Sequence, residues 1–207
     1  MNALSLAINL NKRGVSQMSA GNFEAAVVSF QTSFDFVLAL EGRSANVLPY
    51  NFSQVWQLTS TPTACALADE TGFRFFDQCF EISPCEKGGH VTQGDLALFM
   101  STILFNTALA HMSFYGKHSK CVSFLFQKSF DVLENVDASS NQVLAVTMAI
   151  SNNIASLALE RKDYMVFESY RQLLGSILAR CGHFFSKFFA GNFATTADAH
   201  ERPAAAA

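Results

Sequence analysis

Apolar residues recur along this chain at intervals of three and four, in paired runs separated by short polar breaks. Leu4, Ala7, Ile8, Asn11, Val15 and Met18 share one helical face, with Gly14 on the path between them. Gly21-Asn22 interrupts that run, and Asn22 is placed to N-cap a second helix whose dipole Glu24 favours. The second helix turns Phe23, Ala26, Val27, Phe30, Phe34 and Val37 inward, and Gly42 suits its C-cap. The pattern returns at Ile103, Leu104, Ala108, Leu109, Met112 and Tyr115. It turns at Gly116-Lys117 and continues through Val122, Leu125, Phe126, Phe130 and Leu133. A third pair runs through Val146, Ala149, Ile150, Ile154 and Leu157, turns at Arg161-Lys162-Asp163, and resumes at Tyr164, Phe167, Leu173, Leu174, Ile177 and Leu178. Two of the second helices share a phrase, Phe30-Gln31-Thr32-Ser33-Phe34-Asp35 and Phe126-Gln127-Lys128-Ser129-Phe130-Asp131. The third carries Tyr170-Arg171-Gln172-Leu173-Leu174 in that place.

Between the first and second pairs the pattern changes. Pro49, Pro62, Pro84, Gly72, Gly88, Gly89 and Gly94 interrupt any helix. Period-two spacing puts Phe52, Trp56 and Leu58 on one strand face and Phe76, Phe80 and Ile82 on another. A small antiparallel β-hairpin is expected there, the competing reading being an ordered loop that covers the helices with its Phe residues. The chain thus reads as all-α, a stack of about three antiparallel helical hairpins over residues 3–41, 97–135 and 142–181. A loop or β-hairpin insertion fills 43–95. One domain spans 1–189, and 190–207 is a flexible, alanine-rich tail. Phe184, Phe185, Phe188, Phe189 and Phe193 are expected to cap the last hairpin, or else to form an exposed docking face.

Gly14, Gly21, Phe23, Ala26 and Phe30 stand at a spacing that resembles a tetratricopeptide repeat, with Gln17 where an aromatic is more usual. In such repeats a small residue in the first helix lets the second approach closely. Leu104-Phe105-Asn106-Thr107-Ala108-Leu109-Ala110-His111 and Ala149-Ile150-Ser151-Asn152-Asn153-Ile154-Ala155 resemble the phrases FNLALAHH and AILNNLG of uncharacterised tetratricopeptide-like proteins from diatom-type algae. That resemblance implies a concave groove in which Asn106 and Asn153 bond the backbone of a bound peptide, since an amide donates and accepts at once. The alternative is that each Asn braces its own hairpin. The same groove would be lined by Asn11, Val15, Met18, Phe105, Leu109, Met112, Asn152 and Ser156. This lining is apolar and amide-rich with hardly any Lys or Arg, so the implied ligand is an apolar or helical peptide, not an acidic C-terminal tail.

Composition narrows the classes. Half of the 207 residues are apolar, 15% are charged against roughly 25% in ordinary domains, and Phe occurs 21 times. A formal charge of −3 without a Lys/Arg cluster gives no case for nucleic acid. Five cysteines with no CxxC pair read as reduced thiols. The start of the chain lacks a signal-peptide pattern, and no unbroken apolar run reaches about 18 residues. No transmembrane segment is therefore expected, and the location expected is intracellular, in the cytoplasm.

No catalytic chemistry is specified. There is no Gly-rich phosphate loop, no Gly-x-Ser-x-Gly elbow and no helix-borne His pair. Cys79, Cys85 and His90 lack a second ligand pair at zinc spacing. His111, His118 and Cys121 could be gathered by a turn, but no motif supplies a base and an orienting group, so they read as packing and surface residues. No metal, cofactor or enzymatic activity is expected. The leading expectation is a non-catalytic adaptor that holds a protein or peptide partner in its groove. The alternative is a structural subunit that self-associates through Phe-rich surfaces, as a homodimer.

Overall fold

The computed structural model describes residues 3–41, 55–59, 75–85, 91–137 and 140–180, with backbone alone at 41, 55–59, 84 and 85. The readings placed on Gly42, Phe52, His90, the Trp56 side chain, the phenylalanines of 184–193 and the tail 190–207 lie outside the described residues. What is described is mostly helical: α1 (Ala3–Ser19), α2 (Phe23–Glu41), α3 (Gln93–Tyr115), α4 (Lys120–Leu133), α5 (Asn141–Glu160) and α6 (Tyr164–Leu178). Strands β1 (Val55–Thr59) and β2 (Glu81–Cys85) form one antiparallel pair, from Val55 opposite Cys85 to Thr59 opposite Glu81. The all-α reading holds at this level. β2 begins later than the aromatic spacing predicts, and Phe75 to Phe80 lie in neither helix nor strand.

The chain divides into two compact units, residues 1–63 with 78–138 and residues 64–77 with 139–207. In the first, α1 packs on α2, α2 on α3 and α3 on α4, while β2 lies against α1. Leu4, Ala7, Ile8, Phe30, Phe99 and Ile103 belong to its continuous core, which Ile82 of β2 completes. In the second unit α5 packs on α6, with Ala155, Ala158 and Phe167 at the contact.

Helix ends follow from local chemistry. Thr92 and Asp95 form a full capping box at α3, Thr92 Oγ1 accepting from the Asp95 N–H at 3.1 Å and Asp95 Oδ2 accepting from the Thr92 N–H at 2.8 Å. The α1–α2 and α5–α6 turns share one construction. Gly21 and Lys162 take positive φ (74° and 61°). The next residue's N–H reaches back five positions in each case, Asn22 to Gln17 O and Asp163 to Ala158 O, both at 2.9 Å. Asp163 then caps α6 by accepting from the Val166 N–H.

Close helix crossings explain the repeated phrase. A Cβ on Gly14 would overlap the Phe30 ring, so α1 and α2 approach only because Gly14 has no side chain. Ser33 and Ser129 hold the same place in the phrase and do the same thing. Ser33 Oγ donates to Ala7 O at 2.7 Å, and Ser129 Oγ donates to Ser101 O at 2.7 Å. Phe30 and Phe126, four residues from Phe34 and Phe130, are completely buried. The phrase is a device for docking a second helix on a first. In the third hairpin half-buried Leu173 stands in the serine's place, and buried Leu174 stands in the place of Phe34 and Phe130.

One expectation is overturned. Three helices are long and apolar enough to cross a membrane, by length and composition: Phe23–Leu40 (18 residues), Gln93–Tyr115 (23 residues) and Asn141–Glu160 (20 residues). The expectation of no transmembrane segment, and with it the cytoplasmic location, does not stand. An unbroken apolar run was the wrong measure. Ser, Thr, Asn and Gly break such a run yet cost little averaged over a helix, and Asp95 is the single charged residue in α3.

Candidate functional site: asparagine clamps on the main chain

Asn106 lies on α3 among apolar neighbours and is completely buried. Its amide is fully engaged with the backbone of Phe80. Oδ1 accepts from the Phe80 N–H at 2.9 Å, and Nδ2 donates to Phe80 O at 2.8 Å and to Asn11 Oδ1 at 3.0 Å. Asn11, from α1, closes the set by donating from Nδ2 to Phe80 O at 3.2 Å. One carboxamide therefore reads both polar groups of a single residue, as a neighbouring strand would. That is why Phe80 needs no ladder partner and why β2 starts one residue later. The Phe80 ring meets Phe105 with centroids 5.4 Å apart, and Phe105 meets Phe126 at 5.4 Å, so the clamped main chain is also seated on an aromatic row.

The second unit carries the same device. Asn153 on α5 accepts from the Phe76 N–H at 2.8 Å and donates to Phe76 O at 2.8 Å. Asn152 donates to Asn153 Oδ1 at 3.4 Å, and both asparagines are completely buried. Leaving such amides unmet would cost about 1–3 kcal/mol for each group, so the chain keeps them only where their partners are assured.

The remaining groove candidates fall in different places. Phe105 and Leu109 are buried; Val15 and Met18 are half-buried and pack against the core of the first unit; Met112 is half-buried. Ser156 is buried and its hydroxyl has no hydrogen-bond partner. The sequence singled out the asparagines but not what they hold. Phe76 and Phe80 had been assigned to a strand face, and no local signal marks them as ligands of helices 26 to 77 residues further along.

Elsewhere the described surface offers less chemistry. An open depression of about 460 Å³ lies between α1 and α2, lined by residues including Leu10, Arg13, Glu24 and Val28. Gln17, also on its wall, accepts from Ser29 Oγ at 2.7 Å, which accounts for an amide where a repeat would carry an aromatic. His111 stacks on Tyr115 with centroids 5.3 Å apart, and burial pushes its pKa below the ordinary histidine value. His118 and Cys121 are exposed. Among the described residues no three His, Cys, Asp or Glu side chains are gathered as a metal site would need.

No protein-family model, curated protein or solved structure matches the chain. Its own geometry carries the functional reading.

Proposed function

We propose that the chain is a non-catalytic binding module, built of tetratricopeptide-like hairpins, that reads the main chain of an aromatic peptide through its asparagine clamps. The observation that carries this is Asn106 meeting both backbone groups of Phe80 while the Phe80 ring packs at a tilt against Phe105. Three features support the repeat-like part. Gly14 gives way to Phe30, two hairpin turns are built alike, and each unit carries one amide clamp in the first helix of a hairpin. The clamps hold segment 75–80 of the chain itself, so a partner peptide enters by competing with an internal ligand.

The test is fluorescence anisotropy with a labelled peptide of residues 73–83 added to the full chain. Wild type is expected to bind it weakly, because its own Phe80 fills the clamp. Phe80→Ala, or the milder Phe80→Leu, vacates the aromatic seat and is expected to bind at least tenfold more tightly. Adding Asn106→Ala to that variant removes the gain. Failure of every variant with wild-type helicity to bind the peptide would end this reading.

A further inference from the structure

We propose that Ser156 is a further binding residue of the α5 clamp, its hydroxyl bonding the main chain of a partner peptide two residues from the one that Asn153 holds. The inference rests on the reading of the asparagine clamps and names a group in the second clamp that the chain's own segment leaves unused.

Ser156 is 1% exposed and its Oγ has no hydrogen-bond partner. A buried hydroxyl in that state forfeits its bonds to water and gains nothing in return. The other buried serines and threonines show how readily this chain avoids that. Thr102 and Thr107 each donate to the carbonyl four residues back at 2.7 Å, and Ser29, Ser33, Ser101 and Ser129 bond across to a neighbouring helix. Among the described buried serines and threonines, Ser151 and Ser156 alone are left unmet.

Position separates the two. At about 3.6 residues per turn, Ser156 lies one turn beyond Asn152 and Asn153, on the side of α5 that also carries buried Ala145 and Ala149. Ser151 falls on the side opposite Asn153. Small side chains at 145 and 149 let a main chain lie close, and Asn153 already holds one, meeting the Phe76 N–H and O at 2.8 Å each. The first unit fills the matching places differently. One position before Asn106 and three after it stand Phe105 and Leu109, an apolar seat, where α5 has Asn152 and Ser156. Groups facing the same way along an extended peptide recur about 6.6 Å apart. Asn153 and Ser156 are about 4.5 Å apart along the helix axis. That difference is shorter than one hydrogen bond, so a peptide running along α5 brings its next group to Ser156. The segment around Phe76 fills Asn153 and leaves Ser156 unmet, so a partner that meets both has an advantage over the internal ligand.

The experiment is fluorescence anisotropy with a labelled peptide of residues 72–78 and the full chain carrying Phe76→Ala, or Phe76→Pro, which has no N–H for Asn153 to accept. Adding Ser156→Ala is expected to weaken binding about threefold to tenfold, the range for one hydrogen bond. Ser151→Ala, the same change on the other side of α5, is expected to leave the affinity unchanged. Without peptide, Ser156→Ala is expected to keep or raise the thermal midpoint, because the hydroxyl it removes makes no bond. A lowered midpoint would show that a trapped water satisfies Ser156, and would overturn the proposal. So would unchanged peptide binding in Ser156→Ala, or an equal loss in Ser151→Ala. Those results leave the clamp reading standing, whereas no binding by any folded Phe76 variant, or binding that survives Asn153→Ala, removes both.

Discussion

Asn106 holds Phe80 by both of its backbone groups, from a position 26 residues away in the chain. Replacing Asn106 by Ala removes the acceptor of the Phe80 N–H and the donor to Asn11 Oδ1 at a buried site. The expected loss of stability is about 2–4 kcal/mol, read from chemical denaturation. Hydrogen exchange sharpens the test: the Phe80 amide should lose protection in Asn106→Ala and keep it in Asn153→Ala, with the reverse at Phe76. Equal exchange at both amides in both variants would show that the clamps do not fix the main chain.

Ser101 and Ser129 exchange hydrogen bonds across the α3–α4 crossing, with their hydroxyl oxygens 3.0 Å apart. Each Ser→Ala change is expected to cost about 1 kcal/mol. The double variant should cost less than the sum, by about 0.5 kcal/mol or more, because the two hydroxyls share one network. Ser33→Ala, which breaks the matching bond to Ala7, should cost about as much as one of the single changes. Strict additivity at Ser101 and Ser129 would argue against a shared network.

Gly14 faces Phe30 with no room for a methyl group. Gly14→Ala improves helix propensity by about 1 kcal/mol. Against this, overpacking at a close helix crossing costs about 1–3 kcal/mol. The net effect expected is destabilising, and Phe30→Leu introduced beside it should recover part of the loss. A thermal melt in which Gly14→Ala raised the midpoint would contradict the crossing.

His111 is half-buried, its Nδ1 has no hydrogen-bond partner, and desolvation lowers its pKa from the ordinary value of about 6.5. The folded chain therefore binds this proton less readily than the unfolded chain. The stability tied to neutral His111 is fully present above about pH 6.5 and declines as pH falls below that value through the folded-state pKa. His111→Phe keeps a ring against Tyr115 and removes the titration. The difference in denaturation midpoint between wild type and His111→Phe should change on acidification from neutral pH, with wild type losing ground. A difference that stays constant with pH would show that His111 is not the group responsible.

Much of the fold was legible residue by residue. Helices announce themselves through a local period, and Gly21-Asn22 and Asp163 are turn and cap residues for reasons that lie within a few positions. The repeated phrase was visible as well, and its Ser33 and Ser129 proved to be the part that joins one helix to another. Gln17 stood out in the sequence as a departure from the spacing that resembles a repeat, but its partner Ser29 lies on the following helix and only the structure pairs them.

The sequence by itself determined which segments are helical, where the three hairpins turn, and that Asn106 and Asn153 stand out as amides on apolar faces. Only the tertiary structure decided what those amides hold. Their partners are backbone groups, which every residue carries alike, at separations of 26 and 77 positions that no periodic pattern spans. The helix bounds also showed three segments long and apolar enough to cross a membrane, by length and composition, where the reading of the chain expected none. Whether a segment is long and apolar enough to cross a bilayer depends on where a helix begins and ends, and Asn141–Glu160 qualifies only when its Ser and Asn residues are counted within one continuous helix. Local chemistry writes the helices, but long-range backbone hydrogen bonding chooses what they enclose.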